Sequence, residues 1–176
     1  IWLVNCSIGI AEYHTASLSL GLMDRFLLPF YERDVANGVP AADLETMMAD
    51  FLRKLNRFGD SACAVNISAA STDPKRNQYS ELSAMIVKLV TEQQQAAPLL
   101  AVKITQDCPE EVFASYLDPR LAQIGQPTFY GDEVCRETLK GRGVPEGALD
   151  RWAASSCMGV VIQGQEINDM WGAVVN

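Results

Sequence analysis

Residues 152–164 read Trp152-Ala-Ala-Ser-Ser-Cys157-Met-Gly-Val-Val-Ile-Gln-Gly164, a single cysteine between a run of small residues and an apolar run. Gly159 and Gly164 let the backbone turn tightly and approach other groups closely. With Ala153 and Ala154 before it and Val160, Val161 and Ile162 after it, the Cys157 thiol is predicted to be buried. Taken alone, such a cysteine is a packing residue, because unpaired cysteine is among the most buried residue types. What surrounds the stretch gives it a different reading.

Working outward towards the start of the chain, helix-like and strand-like segments alternate. Leu18, Leu22, Phe26, Leu28, Phe30 and Val35 predict a helix over 18–36, interrupted at Pro29 and stopped by Asn37-Gly38. Leu44, Met47, Met48, Phe51, Leu52 and Leu55 form the apolar stripe of a second helix, the methionines read as core packing. Residues 62–68 are short and apolar, a buried strand. Ser80 opens a helix to about Gln94, and 98–104 read as a strand. Asp107-Cys-Pro-Glu-Glu predicts a helix capped by Asp107, with proline early and acids in the first turn. Residues 126–130 are a short strand or turn, 133–140 a helix ended by Gly141-Arg-Gly143, and 144–152 the opening of another helix. Such alternation indicates an α/β fold. Gly141-Arg-Gly143 lacks the strand and the glycine spacing of a phosphate loop.

Composition narrows the function classes. The 176 residues are 48% hydrophobic and 20% charged, as expected of one globular domain over 1–176. Ile1 and the apolar end at Asn176 suggest a piece of a longer chain, cut at both ends. A net charge of −8, with Lys75-Arg76 as the densest basic spot, argues against nucleic acid and anionic membrane surfaces as partners. No apolar run reaches the roughly 20 residues of a membrane span. The five cysteines, at 6, 63, 108, 135 and 157, are odd in number and widely spaced. They predict neither a disulfide framework nor a zinc ribbon but a reducing, cytoplasmic setting. His14 is the only histidine, and a hydrogen-bonded structural role is expected of it. No metal site is expected; Asp24, Asp34, Asp132 and Glu133 are read as solvated or hydrogen-bonded acids.

The order of these pieces resembles the glycyl radical enzymes, the pyruvate formate-lyase-like family. Ser19-Leu-Gly-Leu-Met-Asp24-Arg-Phe-Leu-Leu-Pro29-Phe-Tyr31-Glu-Arg-Asp34 is similar to that family's S-L-G-x-x-D-x-x-x-x-P-x-Y-x-x-D block. Val65-Asn-Ile followed by Ser80-Glu-Leu-Ser83 resembles its strand leading to N-E-L-S. Ala101-Val-Lys-Ile, Cys108-Pro-Glu-Glu-Val-Phe and Gly125-Gln-Pro-Thr-Phe-Tyr-Gly-Asp-Glu133-Val follow, the last similar to G-x-P-x-F-Y-N-D-E-V. Gly143-Val-Pro-Glu-Gly-Ala then leads into the cysteine stretch. The similarity runs in order over essentially the whole chain.

The resemblance implies part of a ten-stranded α/β barrel, with surrounding helices and a cysteine loop at its centre. It makes Cys157 the thiol that passes its hydrogen atom to a glycine-centred radical and, as a thiyl radical, takes one from a small organic substrate. The pocket must then be dry and closed, because an exposed radical is quenched. Ser156, Met158 and Gly159 are the implied substrate-pocket residues, and the other four cysteines are structural. No cofactor is expected to bind this stretch directly. The implied glycyl radical lies outside it, since no R-V-x-G-[YWF] motif occurs here. The radical is installed by a radical S-adenosylmethionine activase under anaerobic conditions, in an enzyme expected to be a homodimer, and the chain by itself is expected to be inactive. Three departures bear on the branch. Gly159 stands where the family's eliminases carry a glutamate base, and Ser156 where pyruvate formate-lyase has a second cysteine. The Cys157-Met158 pair resembles the fumarate-adding alkylsuccinate and benzylsuccinate synthases, but Gly172 lies near the position of their fumarate-binding arginine. The expected chemistry is carbon–carbon bond cleavage or formation, with the fumarate-adding branch and a degenerate non-catalytic homologue or structural α/β domain as alternatives. Glu166 and Asp169 are further candidates for the pocket.

Overall fold

The computed structural model describes residues 18–56, 63–71, 78–155 and 159–165. The chain enters as strand β1, Leu18–Leu22, and not as the helix its leucine spacing predicts. Gly21 explains the difference: its φ of +65° lies outside any right-handed helix. The segment pairs instead in parallel with a later strand, Leu18 against Cys63 and Ser19 against Ala64. Helices α1, Met23–Phe26, and α2, Leu28–Ala36, follow. Pro29 sits in the first turn of α2, where its missing N–H costs nothing. Phe30 and Val35, two of the apolar positions that predict the helix, are exposed.

Helix α3, Ala41–Asn56, buries Leu44, Ala49, Leu52 and Leu55. Met48 and Phe51 pack at the margin of the core, while Met47 is 66% exposed and is not core packing. Strand β2, Cys63–Ala70, is followed by α4, Glu81–Gln93. The Ser80 hydroxyl accepts the Ser83 amide, and the Ser83 hydroxyl accepts the Ser80 amide, so two orphan donors of the first turn are satisfied reciprocally. Strand β3, Leu99–Ile104, leads to α5, Glu110–Tyr116. Asp107 does not cap α5, which starts after Pro109; its carboxylate accepts a hydrogen bond from the Ser71 hydroxyl at 2.6 Å instead. The short α6, Pro119–Gln123, is capped by Asp118, a start that the sequence reading missed.

Strand β4, Thr128–Gly131, runs directly into α7, Asp132–Gly141. Where the sequence predicts another helix there is a 3-10 turn, Glu146–Arg151, between Pro145 and the strand after it. That strand is β5, Trp152–Ser155, paired antiparallel with β6, Gly159–Ile162.

Strands β1 to β4 form one parallel sheet in sequence order, each crossover carrying helices, so the α/β expectation holds. The described residues contain this four-stranded sheet and the hairpin, not a ten-stranded barrel. Alternation along β3 sorts the two faces. Leu100 and Val102 join the core made with α3, α4 and Leu121. Lys103 points the other way, against the hairpin. A second core there gathers Leu139, Ala148, Leu149, Trp152 and Ile162, with Tyr130, Cys135 and Val160 at its margin. The sheet therefore has a helix face and a hairpin face.

Candidate active site

The β5–β6 hairpin is the element that carries the cysteine stretch. Its register pairs Trp152 with Ile162, Ala153 with Val161, Ala154 with Val160 and Ser155 with Gly159. Three residues, Ser156, Cys157 and Met158, join the last pair; they lie outside the described residues, as do His14, Glu166 and Asp169. The structure places the fourth candidate, Gly159, at the start of β6. A Cβ there would come 3.0 Å from the Ser155 carbonyl oxygen and 3.2 Å from its Oγ, so a side chain at this position requires Ser155 to give by a few tenths of an ångström. Gly159 and Val160 also border a cleft of about 510 Å³ with Tyr130, Val134, Cys135 and Leu139.

All four residues of β5 are buried. Small side chains allow it: Ala153, Ala154 and Ser155 let the strand lie close to neighbouring backbone, and Trp152 alone supplies bulk. Four hydrogen bonds fix the hairpin. Ser19 Oγ donates to the Ala154 carbonyl at 2.5 Å, and the Leu22 amide donates to Gln163 Oε1 at 3.0 Å. The Gln163 amide donates to the Arg151 carbonyl at 2.9 Å. Trp152 Nε1 donates to Asp132 Oδ1 at 2.7 Å. Gly21 is required by the Gln163 contact as well as by its φ, since a Cβ would sit 2.8 Å from Gln163 Oε1.

The acids singled out in the sequence divide by burial. Asp24 and Asp132 are buried, and Asp24 accepts from the Ser83 hydroxyl at 2.7 Å. Asp34 pairs with Arg33 at the surface, and Glu133 accepts the Gln106 amide at 3.4 Å. Among the described residues no three His, Cys, Asp or Glu side chains gather as a metal site would require. Burial pushes the Cys108 and Cys135 thiols up from their ordinary value, which leaves them poor nucleophiles at neutral pH.

Sequence reasoning missed Lys103. It lies on β3 with its Nζ 4.2 Å from the centroid of the Trp152 ring, and only 5% of it is exposed. Burial lowers its pKa to about 8, against the opposing fields of Asp132 and Asp24. The available signal was a lysine inside the apolar strand Leu99-Leu-Ala-Val-Lys-Ile104.

A model of the pyruvate formate lyase-like family matches residues 1–176, the whole chain. The chain belongs to the pyruvate formate lyase-like family. Among curated relatives, the trans-4-hydroxy-L-proline dehydratase of Clostridioides difficile is 25% identical over 160 residues, 81% of this chain and 20% of that protein. A glycyl radical enzyme from Archaeoglobus fulgidus superposes with a TM-score of 0.78 at 18% identity, over 93% of this chain and 23% of its own. The B12-independent glycerol dehydratase of Clostridium butyricum, in its glycerol-bound form, gives a TM-score of 0.74 at 19% identity, over 92% of this chain and 22% of its own. The chain thus spans about a fifth of the length of these relatives, and its α/β fold is that of the family. Among the described residues of this family member, no helix is long and apolar enough to cross a membrane.

Proposed function

We propose that this chain is the cysteine-bearing part of a glycyl radical enzyme, in which Cys157 cycles between thiol and thiyl radical. The carrying observation is the hairpin: a β-ribbon whose first strand is buried, tied to β1 at Ala154 and Gln163 and to α7 at Trp152, and whose two strands are joined by three residues with Cys157 in the middle. Such a mount suits hydrogen-atom transfer, which needs the reacting atoms held closely and water excluded. In the step itself the thiyl sulfur takes one hydrogen atom from a substrate carbon, restoring S–H and leaving a carbon radical. The glycine-centred radical that regenerates the thiyl would come from elsewhere in the intact protein, after installation by a radical S-adenosylmethionine activase. The barrel around the hairpin, the homodimer and the cytoplasmic setting belong to the same proposal.

The substrate is a small organic molecule. Position 159 is a glycine and carries no acid, so proton abstraction from that position is not part of the reaction. Carbon–carbon bond cleavage or formation fits this best, the fumarate-adding branch being one form of it. A dehydration is the second reading, favoured by the names of the hydroxyproline and glycerol dehydratases; it requires a base from another part of the protein.

The test is anaerobic activation of the intact protein with its activase. A glycine-centred doublet in electron paramagnetic resonance, lost on admitting oxygen, is expected. Cys157→Ala keeps that doublet and abolishes turnover of hydroxylated and dicarboxylate candidates. Product analysis separates the readings, since dehydration yields water and a carbonyl product. No doublet, or a Cys157→Ala protein that still turns over, sinks the proposal; the first outcome leaves a barrel-derived structural protein, the second an enzyme whose chemistry does not pass through Cys157.

A further inference from the structure

Lys103 is the only buried cation among the described residues, and it makes no hydrogen bond or ion pair with any of them. Buried charges are ordinarily paired. Here the ammonium rests on the face of the Trp152 indole while Asp132 takes the indole N–H, so the ring is held on its face and on its edge. The charged and titratable groups around Lys103 are Asp132 and Cys135 of α7, Asp24 and Arg25 of α1, Asp150 of the 3-10 turn and Tyr130 of β4. A methionine would fill a similar volume without desolvating a charge. That the charge is retained despite burial requires a reason other than packing.

Trp152 opens β5, the strand that leads in sequence to Cys157, so Lys103 acts on the hairpin through Trp152. We propose that Lys103 is a positioning residue for the cysteine hairpin: its ammonium on the Trp152 face, with Asp132 at the indole edge, fixes the base of β5 and through it the place at which Cys157 is presented. The inference rests on the proposed role of Cys157. With an apolar residue at 103 the Trp152 ring keeps its hydrogen bond to Asp132 at one edge and loses the cation on its face.

The test uses the intact protein with Lys103→Met, Lys103→Arg and Trp152→Phe. Trp152 emission is read across pH as the difference between each protein and its Trp152→Phe counterpart, with no radical installed. The wild type is expected to show an inflection near pH 8 that both Lys103 variants lack, since methionine never carries the charge and arginine never loses it. After activation, Lys103→Met loses at least tenfold in kcat with little change in KM and an equal or higher thermal midpoint. Lys103→Arg keeps most of the turnover and flattens the pH profile near 8. The proposal is overturned if the wild-type emission has no such inflection, if Lys103→Met turns over normally, or if its loss of turnover follows a matching loss of stability. Should no protein turn over, the emission titration decides alone, and failure of the thiyl reading stays separate from failure of the anchor.

Discussion

At the scale of single residues, the site is shaped by side chains that are missing. Gly159 faces Ser155 so closely that even a methyl group must displace the Ser155 carbonyl or spread the hairpin. Overpacking of this kind costs about 1–3 kcal/mol. Gly159→Ala is therefore expected to lower stability by that amount in urea denaturation. Because Gly159 lies two residues from Cys157 in the sequence, turnover is expected to fall by more than the stability loss explains. Gly159→Glu, which restores the residue type of the family's eliminases, is expected to lose stability without gaining dehydratase activity. Measured dehydration by that variant would mean that the hairpin relaxes and that the 3.0 Å contact does not constrain the chemistry. Ser155 completes the pair: it is 1% exposed, and its Oγ has no hydrogen-bond partner among the described residues.

Among the elements, stability rests on a few cross-links that sequence patterns carry unequally. The start of α4 is the plainest case. Ser80→Ala removes the acceptor for the Ser83 amide and leaves that donor unsatisfied, a cost of about 1 kcal/mol read as a lower denaturation midpoint. This start was legible, because serine ahead of an apolar period of 3.6 is a local signal. The strands β2 and β3 were legible too, being short apolar runs with clear ends. Strand β1 was not: Leu18 and Leu22 fit a helical spacing, and only the positive φ of Gly21 and pairing with β2, more than forty residues away, make it a strand. Asp107 misled for a related reason, since its carboxylate had a distant partner in Ser71. The site divides in the same way. The cysteine stretch stands out in the sequence, whereas nothing local links the anchors Ser19, Gln163, Asp132 and Lys103 to it, and they converge only through the fold.

For the molecule as a whole, these buried groups set how stability varies with pH, and they pull in opposite directions. Lys103 titrates near 8 when folded and at 10.5 when unfolded, so between those values the unfolded chain binds more protons. Stability therefore rises with pH through that window, by about 1 kcal/mol between pH 7 and 9 for a shift of this size. Cys108, Cys135, Tyr79 and Tyr116 act the other way. Burial raises their pKa values above the unfolded 9.0 and 10.0, so above pH 9 the unfolded chain ionises first and stability falls. The sum is a dome, rising through the Lys103 window and turned over by the thiols and phenols as they ionise, to be read from urea midpoints at pH 7, 9 and 10.5. Lys103→Met removes the rising limb and leaves the falling one, which makes the variant the more stable protein at pH 7. A wild type whose midpoint declines steadily from pH 7 would show that Lys103 is solvated rather than buried, and the cation beneath Trp152 would lose its physical basis. A dome combined with a catalytically crippled Lys103→Met would instead mean that stability is given up at neutral pH to hold the cysteine hairpin in place.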